Sequence, residues 1–437
     1  MHFGIQNILF ILALGVAIYF FARNFGRIWR NIKLGKDINR SDRKNERWAL
    51  MARVALGQSK MVRRKKLAGF MHVLVYIGFI LINIEVAEIL IDGIFGTHRL
   101  FAAPLSVVYD IAINFFEILA VLVIIACTIF LLRRNVAKVP RLASLKGWAK
   151  ADGNNILVIE IVLMLALLTL GAAEANMDGK EEGPWLISGM LAPIFSGLSQ
   201  NQLLVLERTA WWFHILGILA FLNYLPYSKH FHIILAFPNV WYSKLKNLGE
   251  FTNLESVKKE VELMMDPNAD PFAAPPADAT AEEPGRFGAK DVMDLNWVQL
   301  MNAYSCTECG RCTSSCPANI TGKKLSPRKI MMDTRDRLEE VGKNIDANNG
   351  SFQDDGKSLL DDYITREELW ACTSCNACTD ACPVNIDPLS IIIDMRRYLV
   401  MEESSASQQI NSMMTNVENN GAPWAYAQAD RANWISE

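Results

Sequence analysis

The chain has 437 residues, with 44 Lys and Arg against 46 Asp and Glu, a formal charge of -2. That balance excludes a generally basic nucleic-acid binder, and a hydrophobic content of 51% lies at the upper edge for a soluble globular protein. The apolar excess ends near residue 240, and eight of the nine cysteines fall between Cys306 and Cys382, with Cys127 apart. Such a length suggests two or three domains, and such clustering points to metal ligation in a reducing compartment, away from a secreted disulfide scaffold.

Five stretches, about 4–22, 67–92, 108–132, 155–173 and 204–228, are long and apolar enough to cross a bilayer. The first lacks a basic leader and a small-residue cleavage site, and its positive charge follows it (Arg23, Arg27, Arg30), so it reads as an uncleaved anchor. Residues 23–66 carry 15 Lys and Arg against 3 Asp and Glu, and residues 133–150 carry 6 against none. Basic loops stay in the cytoplasm. The N-terminus is therefore expected outside, and the chain should emerge inside after the fifth span. The basic 23–66 stretch is read as a topology signal.

Histidine is scarce, six in all. His72 lies near the cytoplasmic start of the second span, His214 in the outer half of the fifth, and His232 just past its cytoplasmic end. His214 and His232 are 18 residues apart, five helical turns, so a helix running on past Pro226 would put them on one face about 27 Å apart. Ionisable side chains in a span are costly and by default functional. Two neutral imidazoles on facing helices can clamp a b-type haem; the bland alternative is a histidine hydrogen-bonded between helices. His98 is expected in an outer loop, and His230 at the membrane interface. Among the acids Glu85, Glu88, Glu117, Glu160 and Glu207, the Glu85/Glu88 pair could serve quinone protons, or could pair with Arg208 or a backbone group. Cys127 reads as a small buried apolar residue.

Residues 251–265 could form a short amphipathic helix, and 266–286 (DPNADPFAAPPADATAEEPGR) reads as a flexible acidic tether. Beyond it, one pattern occurs twice: Cys306-x2-Cys309-x2-Cys312-x3-Cys316-Pro317 and Cys372-x2-Cys375-x2-Cys378-x3-Cys382-Pro383. This is the run of two-cluster bacterial ferredoxins, in which the fourth cysteine ligates the other cluster. One [4Fe-4S] cluster is thus assigned Cys306, Cys309, Cys312 and Cys382, the other Cys372, Cys375, Cys378 and Cys316. A zinc site would use paired C-x2-C groups with a longer spacer. The copies start 66 residues apart, with helix-like stretches at 326–341 and 364–371 between them.

The five spans, the early His72, the H-x17-H of His214 and His232, and the run Leu225-Pro226-Tyr227-Ser228-Lys229-His230-Phe231-His232 resemble the gamma subunit of respiratory nitrate reductase and the cytochrome b subunits of heterodisulfide reductases. The cysteine half, with Asn296-Trp297-x-Gln299-Leu300 before the first run and Thr321-Gly322-Lys323-Lys324-Leu325-Ser326-Pro327-Arg328 after it, resembles membrane-bound iron–sulfur oxidoreductases of the heterodisulfide-reductase type, which join such a cytochrome to a helical ferredoxin. The resemblance implies that His72 and His232 hold the haem nearer the cytoplasm and that His214 would hold an outer one. Where the nitrate reductase subunit has a second histidine in its second helix, this chain has Ile82.

Those oxidoreductases continue into a Cys-Cys-Gly module; here no cysteine follows Cys382, and no glycine-rich dinucleotide fingerprint is present. The expectation is an all-α protein of the prokaryotic cytoplasmic membrane: a five-helix transmembrane bundle (1–240), a linker (241–289), a cytoplasmic α-helical ferredoxin-like domain (290–400) and a polar tail (401–437), unstructured or a docking arm. It would pass electrons between quinone, b haem, the two clusters and a separate partner, a cysteine-rich iron–sulfur subunit or an electron-transfer flavoprotein. The competing expectation is a membrane-tethered dicluster ferredoxin without haem or quinone chemistry.

Overall fold

The computed structural model describes residues 4–63, 66–178, 183–267 and 286–436. The described residues form helices and no strand. Five helices are long and apolar enough to cross a membrane: α1 (Ile5–Ile32), α2 (Lys66–Phe95), α3 (Val107–Asn135), α4 (Gly147–Glu174) and α5 (Gln200–Tyr224). They outrun most of the apolar stretches in the sequence because charged turns continue the backbone hydrogen bonding; Arg23, Arg27 and Arg30 all belong to α1. Neighbours in sequence pack as neighbours in space, and α5 closes onto α1, giving a ring of five. Gly78 brings α2 close to α3, where a Cβ would lie 2.6 Å from Val123.

The fifth span does not continue as the sequence suggests. It ends at Tyr224; Leu225–Tyr227 is a 3-10 turn, Ser228 is extended (φ -119, ψ 151), and a new helix, α6 (His232–Trp241), begins at the histidine itself. Pro226 stands at the start of the turn, where its missing N–H ends the ladder. His214 and His232 therefore lie on separate helices, and the single-face expectation is corrected.

The cysteine-bearing half sits at the end of the ring where α1 and α5 finish and α2 and α4 begin. Its main helices are α7 (Trp297–Ser305), α8 (Pro327–Ala347) and α9 (Pro388–Met401). The sequence run Asn296-Trp297-x-Gln299 is a capping box: the Asn296 side chain accepts from Val298 N and Gln299 N, while Gln299 Oε1 accepts from Asn296 N. Ser326-Pro327 opens α8 in the same spirit, with the Ser326 hydroxyl on Lys329 N and proline at the first helical position. The 364–371 stretch yields only the short helix Arg366–Trp370, capped by Thr365.

Both halves share one apolar core. Ile28 and Ile32 of α1, Leu225, Phe231 and Leu235 pack with Leu300, Met331 and Ile392. The basic stretch after α1 takes part: Lys36 N donates to Leu295 O (2.8 Å), Trp297 N to Lys36 O (3.1 Å) and Trp297 Nε1 to Ile38 O (3.2 Å). Arg47, 1% exposed, donates to Trp241 O and Ser243 O. The stretch read as a topology signal thus also builds the junction. Of the acidic tether, 266–286, residues 268–285 lie outside the described residues; before it stands a helix, Glu255–Met265. The tail is more ordered than an unstructured one: Gln408–Asn420 is helical, started by the Ser407 side chain on Ile410 N and ended by Gly421 at φ +65.

Arg337 lies at 0% exposure between Asp291 and Asp355, with contacts of 2.8 and 2.6 Å. Arg337→Ala should cost about 3 kcal/mol or more, because it leaves two carboxylates without their shared cation. The hydrogen bond from Arg337 is the main reason the Asp355 carboxyl is held below its ordinary value of 3.8. That contribution is present above the ordinary value and fades as pH falls through the lowered one. Thermal unfolding should therefore show the variant's Tm deficit greatest near neutral pH and shrinking in acid.

Candidate metal and redox centre

The two cysteine runs adopt the same backbone. Glu308 (φ 55) and Ser374 (φ 56) hold equivalent left-handed positions, as do Gly310 (φ 72) and Asn376 (φ 59). Cys316 and Cys382 match as well, at φ -78, ψ 119 and φ -74, ψ 126, each followed by its proline. In each loop the N–H two residues after the first cysteine turns back to that sulfur: Ser374 N lies 3.4 Å from Cys372 Sγ, and the Glu308 backbone bonds Cys306. Such bonds to sulfur tune a cluster's potential. The short helices Arg311–Ser315 and Ala377–Ala381 pack against each other, bringing the loops together.

Across that contact Cys382 comes within electrostatic reach of Cys306, Cys309 and Cys312, Cys378 of Cys312 and Cys372, and Cys372 of Cys316 and Cys375. Among the described residues, no group of three or more His, Cys, Asp or Glu side chains is gathered as tightly as a single ion requires.

The loops differ in their surroundings. The first is locked to the bundle: Arg141 donates to Cys309 O, Arg311 Nη1 to Met61 O (2.8 Å), and Arg328 to Arg141 O and Ser144 Oγ (both 2.7 Å). In the second, Cys375 is exposed.

The imidazoles gather where the fifth span breaks. His72 and His232 face each other with ring centroids 6.3 Å apart, and His230 lies 5.6 Å from His232 and 5.2 Å from Phe221. His230 is thus not turned out to the interface. Its ring is buried beside Glu160, Nε2 to Oε1 3.9 Å, a placement the sequence reading missed. Lys229 O can only accept, so His232 donates to it from Nδ1 (3.0 Å), which leaves Nε2 with a lone pair. His72 Nδ1 is buried without a hydrogen-bond partner. Metal–imidazole bonds are about 2 Å long, so the His72/His232 pair leaves room for one metal ion between the rings. A cavity of 380 Å³ joins the three imidazoles to Cys306, Cys309, Cys312, Cys378 and Cys382.

One carboxylate organises this turn. Asp152 of α4, 2% exposed, accepts from Tyr224 OH and Ser228 Oγ (both 2.6 Å) and from Lys229 N (3.0 Å). Lys229 Nζ then reaches Glu308 Oε2 of the first cysteine loop at 3.0 Å. Burial pushes the Glu308 carboxyl up, but Arg335 and Lys229 together hold it below its ordinary value. Arg311 of that loop is close enough to His72 to act on it electrostatically.

His214 is separate. It is 1% exposed, donates from Nδ1 to Leu163 O (2.9 Å), and its Nε2 is buried without a partner beside a second cavity of 80 Å³. Of the remaining acids, Glu88 accepts from Tyr109 OH and Phe101 N, Glu117 from Ile187 N and Ser188 N, and Glu207 pairs with Arg208. These are structural bonds at the far end of the ring. His98 lies at that end too, 3.4 Å from Glu174. Cys127 is fully buried.

Residues 305–386 match the family described as 4Fe-4S dicluster domain. Over 98% of its length the chain is 32% identical to the "Probable iron-sulfur-binding oxidoreductase FadF" of Bacillus subtilis, covering 61% of that protein. It is 27% identical, again over 98% of its length, to the EtfAB:quinone oxidoreductase of Syntrophomonas wolfei, covering 59%. Over 26% of its length it is 30% identical to a component of the ferredoxin/F420H2-dependent CoB-CoM heterodisulfide reductase of Methanosarcina acetivorans, covering 56% of that protein. The chain thus spans about three-fifths of the first two curated relatives. No solved structure matches it. Its relatives are iron–sulfur oxidoreductases, and its cysteine half is a [4Fe-4S]-binding region of that kind.

The paired loops make a discriminating prediction. A Cβ at Gly310 would lie 2.9 Å from Arg141 O, whereas Asn376 already carries one at the matching position. Gly310→Asn should lower bound iron and sulfide per chain by half or more despite the tolerance of Asn for a left-handed backbone, while Asn376→Gly should leave both unchanged.

Proposed function

We propose that the chain is the membrane electron-transfer part of a quinone-linked iron–sulfur oxidoreductase, carrying electrons between a quinone in the bilayer and a soluble partner. The observation that carries this reading is the 380 Å³ cavity, which brings the facing His72 and His232 imidazoles and the first cysteine loop to one space. In this reading His72 and His232 hold a b-type haem, and the crossed cysteine sets hold two [4Fe-4S] clusters. When bound, these groups supply one-electron carriers in series.

The chain's own residues do the rest. Lys229 O orients His232, Asp152 fixes the turn that presents it, and the apolar wall of the cavity keeps water from the imidazoles. Lys229 and Glu308 hold the first cysteine loop against the turn. In this reading the second loop, where Cys375 is exposed, is the contact end for the partner. The basic loops, which lie at the same end of the ring as the cysteine half, argue for a cytoplasmic iron–sulfur domain. The partner is a cysteine-rich iron–sulfur protein or an electron-transfer flavoprotein; the name of the Syntrophomonas relative carries EtfAB.

Purified full-length protein reduced with dithionite should give sharp b-type bands that His72→Ala and His232→Ala abolish, with non-haem iron and acid-labile sulfide per chain retained. A spectrum without such bands, unchanged by His72→Ala, would leave a tethered ferredoxin and overturn the haem reading. Oxidation of the reduced protein by a short-chain menaquinone tests the quinone.

A further inference from the structure

Resting on the quinone reading above, we propose that the cavity beside His214 is the quinol headgroup site, with His214 and Glu160 as its proton acceptors. The haem expectation for His214 needs a second imidazole, and among the described residues that line this cavity His214 is the only one. On the α2 wall, where a partner would stand, are Phe79, Ile82 and Asn83. The space is 80 Å³, against 380 Å³ at the His72/His232 pair. That is several times what one ordered water needs, yet little beside the larger cavity.

The tautomer says what fits. Leu163 O has no proton to give, so Nδ1 of His214 carries the hydrogen and Nε2 keeps its lone pair. That nitrogen is buried and unpartnered, on a side chain that lines the cavity. It calls for a donor, and a quinol hydroxyl is a donor, whereas a quinone carbonyl is not. Phe79 and Asn83 are exposed on the outer surface of the bundle as well as lining the cavity. The site therefore opens sideways toward lipid, the direction an isoprenoid tail must take.

Glu160 is the other ionisable residue among those described that line the cavity, and it lines the larger cavity too. On oxidation, one quinol O–H bond breaks and its proton forms an N–H bond at Nε2 of His214, while the Nδ1–H bond to Leu163 O steadies the resulting cation. The second hydroxyl proton passes to the Glu160 carboxylate. The two electrons leave, one at a time, to the one-electron carriers of the haem and iron–sulfur class named above. Quinol thus becomes quinone with two protons and two electrons accounted for, and the reverse path reduces quinone.

The test uses full-length protein and menadiol. His214→Gln keeps a donor for Leu163 O and an acceptor for the hydroxyl but cannot take the proton. It should slow reduction of the protein's chromophores by menadiol about 10²-fold, a loss of the size expected for a general base, with haem per chain unchanged. Val86→Phe, which narrows the cavity from α2 without touching either acceptor, should weaken binding of menadiol to protein whose redox centres are already reduced, read by quenching of tryptophan fluorescence, with iron, sulfide and Tm unchanged. The proposal is overturned if His214→Gln loses one haem per chain, which would make His214 a ligand. It is equally overturned if reduction of His214→Gln by menadiol and binding of menadiol by Val86→Phe both match wild type. Wild-type protein that menadiol fails to reduce, even with b-type bands present, overturns the quinone reading itself and this site with it.

Discussion

Everything at the centre of this molecule depends on one buried carboxylate. Asp152 sits at 2% exposure near the start of α4 and takes three hydrogen bonds from the segment 224–229. A charge so placed is costly unless its lone pairs are filled, and Tyr224, Ser228 and the Lys229 amide fill them. Without that anchor, a chain ending an apolar helix at a proline could leave in many directions. With it, Ser228 is held extended, Lys229 is aimed at Glu308, and α6 starts with His232 facing His72. The same few bonds set both the imidazole pair and the dock for the first cysteine loop, so imidazoles and thiols are placed by one device.

The cysteines were legible in the sequence because their chemistry dictates spacing. A cluster face needs three thiolates on a tight loop, and the C-x2-C-x2-C pattern can hardly mean much else. The five spans were legible because lipid requires apolar length. Asp152 was not, since an aspartate near a helix start looks like an ordinary dipole partner, and only the return of residue 228 to its side reveals its task. His230 was passed over because a helix continuing through Pro226 would aim it elsewhere. The proline was visible; that the chain would restart as a helix four residues after a single extended residue was not, because the bonds that hold it come from α4, more than 70 residues away.

The basic residues after α1 and α3 carry two meanings at once. As charge they bias topology; as donors they satisfy backbone carbonyls at the junction, Arg47 on Trp241 and Ser243, Arg141 on Cys309. Arginine suits both, since its fork fills several acceptors and stays charged when buried. A count of charges captures the first meaning and is blind to the second, which appears only once the cysteine half is seated on the ring.

That seating breaks the symmetry of the repeat. The two cysteine loops have the same left-handed positions and the same turn before proline, and in isolation they would be interchangeable. Gly310 and Asn376 record the difference. Arg141 approaches the first loop so closely that only glycine leaves room, while the matching position in the second loop, beside exposed Cys375, accepts a side chain. One loop is therefore built to face the membrane bundle and its imidazoles, the other to face outward. An internal repeat with one side buried and one side open has a direction through it, from the bilayer end to the solvent end, whichever way electrons travel along it.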